Sequence, residues 1–325
     1  MADDGSVRVV PTGAATRNDN RQKFDDPDVT ATGAVRAHVD FDGLKTLWVN
    51  TGTLCNVECS HCYIESSPKN DRLVYLSSED LSPFLKEAAG MGAREIGFTG
   101  GEPFMNPDML MMARASLEAG FEVLILTNAM RPMLREQIKK SLMGLREQYG
   151  ARLKLRISLD HYTKSRHDEE RGAGSFDAGL AGLGWLSECG FSISVAGRTL
   201  WGETETVLRK GFANLFTEYN FTLDANDPQA LILFPEMDEA APVPEITTDC
   251  WETLGKSPHD IMCASSRMLV KRKGEKTPVV LSCTLLAYDR AFEMGPTLEA
   301  AARPVKLNHP HCAKFCILGG ASCSG

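Results

Sequence analysis

The chain has 325 residues, 43% hydrophobic and 24% charged, which is the balance of a globular protein long enough to bury a sizeable core. Its formal net charge of -8 argues against a general affinity for nucleic acid or anionic membrane. No run reaches the roughly 18 apolar residues that span a bilayer, and the polar start MADDGSVRVVPTG lacks the apolar centre of a signal peptide, so a soluble cytoplasmic protein is expected, and a monomer is taken as its state.

Residues 1–43 are rich in Asp, Asn, Thr and Gly without sustained periodicity, and predict an irregular N-terminal extension. From Leu44 short apolar runs alternate with longer amphipathic stretches. The runs LKTLWVN (44–50), REIGFTG (94–100), FEVLILTN (121–128), LKLRISLD (153–160), FSISVAG (191–197) and ALILFPE (230–236) predict strands. Helices are predicted over 77–92, 107–119, 131–149, 175–189 and 203–217. In the first of these Ser77 and Asp80 form the N-terminal cap, Leu81, Leu85 and Ala88 share a face, and Gly90 and Gly92 mark the end. Six strands joined by crossovers demand a mostly parallel sheet, either an open doubly wound one or an incomplete barrel, over residues 44–238. Beyond about 238 the regularity stops. An acidic, proline-rich linker, MDEAAPVPEITTDC, leads into a loop-rich region, 239–325, that holds six of the ten cysteines and is too small for a good core without metal ligation.

The segment TLCNVECSHCYIESS (53–67) places Cys55, Cys59 and Cys62 within eight positions. In a reducing compartment, cysteines clustered this tightly more often bind metal or do redox chemistry than form disulfides. A structural zinc ion takes four protein ligands, and a four-iron cluster needs four for full coordination. Three thiolates therefore leave one position open to a small molecule. His61 is a candidate fourth ligand, against a solvent-facing or outer role.

The Cx3Cx2C loop after the first strand, followed by an aromatic residue, resembles that of the radical S-adenosylmethionine (radical SAM) enzymes. FTGGEP (98–103), LTN (126–128), ISLD (157–160) and HDEERGAGSFD (167–177) follow in the family's order, and the resemblance extends over about 44–325. It implies an α/β fold, a partial (β/α)6 barrel with a small cysteine-rich extension. It also implies a 4Fe-4S cluster on Cys55, Cys59 and Cys62 whose open iron binds SAM. Reductive cleavage would give a 5′-deoxyadenosyl radical that abstracts a hydrogen atom, with electrons from a donor such as flavodoxin or ferredoxin. The implied SAM contacts are Tyr63 near the adenine, Gly100, Gly101 and Glu102 at the ammonium, and Ser158 and Asp160 at the ribose or methionyl end, with Asn128 and Arg198 further candidates. The glycine pair also suits a tight turn that admits the methionyl group closely, and Arg198 suits a carboxylate. Turn formation by Asn128 and helix capping by Asp160 are the plainer alternatives. Arg171 is expected to organise its loop.

Of the remaining cysteines, Cys189 reads as a small buried apolar residue. CASSRMLVKRKGEKTPVVLSC (263–283), turning near Gly274, resembles the opening of the auxiliary-cluster extensions called SPASM and Twitch, with HCAKFC supplying a later pair. Six candidate thiolates favour one auxiliary Fe-S cluster over two. The expected ligands are Cys263, Cys283, Cys312 and Cys316, with Cys323 as substitute, Cys250 left over, and His309 and His311 nearby. A zinc knot of the same cysteines is the alternative there. The substrate is a small molecule or a peptide, and the absence of a recognisable peptide-binding domain in the N-terminal arm favours the former. The rival from another class is a non-catalytic iron–sulfur or zinc protein that carries electrons or scaffolds a partner.

Overall fold

The computed structural model describes residues 22–236 and 242–319. Strand β1 (His38–Val39) leads to β2 (Thr46–Asn50), all five of whose residues are buried, as a central parallel strand requires. Helix α1 (Ser78–Gly90) starts at the expected capping box, in which the Ser77 hydroxyl accepts from the Asp80 N–H and Asp80 accepts from the Ser77 N–H. It buries Leu81, Phe84, Leu85 and Ala88 against the sheet. The βα alternation continues through β3 (Glu95–Thr99), α2 (Met109–Glu118), β4 (Glu122–Thr127), α3 (Glu136–Tyr149), β5 (Leu153–Ser158), α4 (Lys164–Arg171), α5 (Ser175–Glu188), β6 (Ser192–Arg198), α6 (Glu205–Glu218) and β7 (Leu231–Phe234). Strands β2 to β7 pair in chain order, each parallel to the next, which is the expected six-stranded βα series. The sheet is a partial barrel with free edges.

Helix α4 lies where only a connection was expected. Its sequence, KSRHDEER, buries just His167 and Glu170, so no apolar period announces it. Helix α3 begins at Glu136 instead of 131, because residues 130–134 form a turn around Pro132.

The C-terminal extension contributes α7 (Cys250–Leu254), β8 (Ser266–Val270), β9 (Val279–Leu281), β10 (Glu293–Gly295) and β11 (Val305–Lys306). It joins the main sheet. Strand β8 lies parallel to β2, with Thr46 opposite Ser266 and Val49 opposite Leu269, and β9 and β10 add antiparallel beyond it, for nine strands in all. A bare β2 edge would leave a row of buried amides and carbonyls unpaired, and β8 satisfies them. One apolar cluster accordingly mixes Trp48 and Leu124 of the barrel with Met268, Leu281, Leu285 and Phe315 of the extension.

The lead-in is also more ordered than its composition suggests. Within residues 22–43, Arg36 is buried, donates to the carbonyls of Asp26 (2.7 Å) and Val29 (3.0 Å), and pairs with Glu245 at 2.6 Å. Strand β1 pairs antiparallel with β11. Polar contacts between distant segments hold this region, and hydrophobic periodicity cannot report them. Among the described residues, no helix is long and apolar enough to cross a membrane.

Candidate active site at the three-cysteine loop

The loop that carries the three cysteines is seated on the glycine pair after β3. Gly101 donates to the Gly52 carbonyl at 2.8 Å and Glu102 to the Leu54 carbonyl at 3.1 Å, while Cys55 donates to the Ser67 carbonyl at 3.1 Å. Gly100 has φ +142°, and a Cβ there would lie 2.5 Å from the Gly52 oxygen. A Cβ on Gly101 would lie 2.2 Å from the Leu54 oxygen. Both glycines line the cavity, but their immediate duty is to let the cysteine loop approach the strand end, a backbone-to-backbone contact that no other residue permits.

Cys55, Cys59 and Cys62 face one cavity at the C-terminal ends of the parallel strands, the place where such sheets bind ligands. Tyr63, Gly100, Gly101, Asn128, Ser158, Asp160 and Arg198 line the same cavity. Burial pushes the Cys55 thiol up to about 12 and the Cys59 thiol up to about 11, so without a metal to replace their protons both stay neutral. Among the described residues, no three Cys, His, Asp or Glu side chains converge as around a single ion. A multi-iron cluster binds each thiolate at a different corner and needs no such convergence, whereas a closed zinc site does.

Glu102 is the exception among the expected cavity residues. It is buried behind the wall, where its carboxylate accepts from the N–H groups of Phe104 (3.2 Å) and Asn128 (2.9 Å) and from the Thr127 hydroxyl (2.9 Å). Burial pushes it up to about 7 against the opposing pull of these bonds. Its role here is to tie the end of β4 to the turn after β3. Asn128 combines both expected roles: its Oδ1 accepts from the Met130 N–H at 3.0 Å, closing a turn, while its Nδ2 donates to Asn56 at 2.9 Å and reaches towards the Cys55 sulfur at 3.9 Å.

Asp160 does not cap α4. Its two oxygens accept from Arg171 Nε at 2.5 Å and Nη2 at 3.0 Å, a bidentate buried pair. Burial alone would raise this carboxyl, but the charge and hydrogen bonds of Arg171, together with the charge of Arg198, hold the group below its usual range. Arg171 itself lines the cavity beside Cys55 and Cys59, so its loop-organising bond and its cavity position coexist. His61 is half exposed, and its Nδ1 donates to Glu170 at 2.7 Å, which fixes the ring and leaves Nε2 as its other nitrogen. Arg198 is buried, with Nη1 donating to the His61 carbonyl at 2.9 Å; its Nε and Nη2 have no protein partner.

These features fit the groups the sequence implies. Three cysteines line a cavity, and Arg198 on the same wall keeps a buried guanidinium edge left unsatisfied by the protein. The structure adds residues the sequence did not single out for this wall, among them Arg156, Thr127, Phe234, Leu285 and Phe315. Arg156 carried a signal, since a charged residue two before Ser158 on an otherwise buried strand shares its face.

A second, smaller cavity is lined by Cys263, Cys283, Cys312 and Cys316 together, with His311 beside them. Burial raises Cys263 to about 12 and Cys312 well above the ordinary thiol range. The Cys312–Leu318 segment is a wide π-type helix turn, which brings residues 312 and 316 to one cavity despite their three-residue separation. His309 accepts from the His311 N–H at 3.1 Å. Cys250 lies apart, accepting from the Thr247 N–H at 3.4 Å, Cys189 ends α5, and Cys323 lies outside the described residues. Leu285 lines both cavities.

Residues 49–207 match the model of the Radical SAM superfamily. The AdoMet-dependent heme synthase of Methanosarcina barkeri is 30% identical over 145 residues, which is 43% of this chain and 38% of the relative. The antilisterial bacteriocin subtilosin biosynthesis protein AlbA of Bacillus subtilis is 30% identical over 146 residues, 44% of this chain and 30% of that protein. The matched stretch thus spans only about a third of these relatives. Among solved structures, Streptococcus suis SuiB bound to S-adenosylmethionine superposes with a TM-score of 0.57 at 14% identity, covering 78% of this chain and 63% of SuiB. The AdoMet-bound anSMEcpe gives 0.56 at 15%, covering 79% and 77%. At these identities the likeness is one of fold.

Proposed function

With residues 49–207 forming a radical SAM domain, we propose that this protein is an enzyme that cleaves SAM reductively at a 4Fe-4S cluster on Cys55, Cys59 and Cys62 and abstracts a hydrogen atom from its substrate. The observation that carries this reading is the shared cavity: it is lined by the three cysteines and by Arg198, whose buried Nε and Nη2 have no protein partner. When bound, the cluster and SAM supply one electron to a sulfonium and a carbon radical able to attack an unactivated C–H bond.

The chain's own residues bind, orient and exclude water. Arg198 offers its charge to the SAM carboxylate, and Ser158 and Asn128 offer polar atoms at the strand ends. Tyr63, Ile64, Leu126 and Phe234 supply apolar wall that keeps water from a reactive centre. Leu285 and Phe315, from the extension, add to the same lining. We assign one auxiliary Fe-S cluster to Cys263, Cys283, Cys312 and Cys316, because these four thiols line one cavity.

The substrate is a small molecule or a peptide. SuiB is known in complex with precursor peptide SuiA, which supports the peptide class by fold. An electron donor of the flavodoxin or ferredoxin type and a monomeric state complete the proposal. The test is anaerobic reconstitution, iron counting and assay of 5′-deoxyadenosine under dithionite. Production is expected from the wild type and lost when Cys55, Cys59 and Cys62 are replaced by Ala. Intact clusters with no 5′-deoxyadenosine would favour a non-catalytic iron–sulfur protein.

A further inference from the structure

Glu170, next to the end of α4, is a carboxylate whose side chain is only 2% exposed. Burying such a group costs several kcal/mol unless it is paired, and its pairing here joins two separate parts of the cavity wall. Oε1 accepts from the His61 N–H at 2.9 Å, Oε2 from His61 Nδ1 at 2.7 Å, and the Glu170 carbonyl from the Ser60 N–H at 2.9 Å. Residues 60 and 61, the middle of the Cys59–Cys62 span, therefore hang on Glu170. On its other side Arg198 Nη1 lies 3.3 Å from Oε1 while donating to the His61 carbonyl at 2.9 Å. Holding Nη1 in this way leaves Nε and Nη2, the paired edge that engages a carboxylate bidentately, buried and without a protein partner.

We propose that Glu170 is a positioning residue that couples the three-cysteine loop to Arg198, so that the seated loop presents the arginine's Nε–Nη2 edge to the α-carboxylate of SAM. This rests on the reading of SAM as cosubstrate. Without the Glu170 charge, the guanidinium loses its charge-assisted partner beside the His61 carbonyl. The cost of ordering it then falls on binding, and it falls selectively on ligands that carry the carboxylate.

The test compares two ligands on the reconstituted protein, S-adenosylhomocysteine and 5′-methylthioadenosine. Both carry the adenosyl thioether, and only the first has the amino-acid carboxylate. In Glu170→Gln the side chain still accepts from the His61 N–H but has lost its charge. The dissociation constant for S-adenosylhomocysteine is expected to rise about tenfold while that for methylthioadenosine changes by less than about twofold, with iron content unchanged. His61→Ala, which removes the loop partner and keeps both charges, is expected to give a smaller loss of the same selectivity and guards against misfolding of the Glu170 variant. Equal weakening of both ligands, or of neither, would overturn the coupling. A wild-type protein that shows no preference for the carboxylate ligand would instead overturn the functional reading on which the coupling rests.

Discussion

Replacing Gly101 by Ala tests how the cysteine loop is held. The new methyl would sit 2.2 Å from the Leu54 oxygen and 2.8 Å from the Thr53 oxygen, so the loop must retreat by about 1 Å to reach ordinary contact. The same stretch is fastened by the Gly101-to-Gly52 bond at 2.8 Å and the Glu102-to-Leu54 bond at 3.1 Å, and a retreat of that size breaks at least one of them. Overpacking costs about 1–3 kcal/mol and a lost buried hydrogen bond about 1 kcal/mol more, giving about 2–4 kcal/mol in all. For a chain of 325 residues that corresponds to a melting temperature lower by roughly 3–6 °C. Because Cys55 follows Leu54 directly, iron bound at the first site is expected to fall in parallel. Differential scanning fluorimetry and iron analysis of the reconstituted protein measure the two effects. Gly184→Ala, at a helical position with nothing within 4 Å of a Cβ, is the control and is expected to be stabilised by up to about 1 kcal/mol. A Gly101→Ala protein that melts like the control and retains full iron would refute the close-approach reasoning.

Three further outcomes follow from buried charge and thiol placement. The folded-state value of Glu102, about 7, exceeds the unfolded 4.5, so its neutral form favours folding: that contribution is complete below pH 4.5 and is lost as pH rises through 7. In chemical denaturation, the stability of the wild type relative to Glu102→Gln is expected to fall by about 2–4 kcal/mol across this window, and a pH-independent difference would contradict the burial argument. Asp160→Asn leaves the buried Arg171 charge unpaired and is expected to cost about 3–5 kcal/mol, with part recovered in the Asp160→Asn, Arg171→Met double variant; additive losses in urea melts would argue against the pair. Cys312→Ala should remove about half of the iron bound by the reconstituted protein, while Cys250→Ala should remove none. Equal losses would mean that the thiols of the second cavity are not its ligands.

Local rules made the frame of the protein legible. The strand runs, the Ser77–Asp80 cap and the glycine pair each depend on a few adjacent residues, and the structure keeps them within a residue or two. The cysteine loop could be found because three thiols at fixed short spacing have few other uses. What escaped was held by polar side chains acting across long separations. Glu170 and His167 bury a helix with no apolar stripe, Arg36 fastens the lead-in to Glu245, and Glu102 turns behind the wall its neighbours Gly100 and Gly101 line. A motif names the residue after a glycine pair without saying which side of the strand end it faces. Likewise, the composition of 239–325 marked a weak core but did not reveal that β8 would complete the main sheet.

The placement of β8 beside β2 also orders events during synthesis. Strand β2 emerges early and gains β3 on one side soon afterwards, but its other edge waits until Ser266–Val270 has left the ribosome. Throughout that interval a nascent chain with the whole βα series already made would carry an open strand edge beside its cysteine loop, the kind of edge that recruits stray strands. Release from this hazard therefore arrives with the residues around Cys263 and Cys283, while Cys312 and Cys316, which line the same second cavity, are made later still.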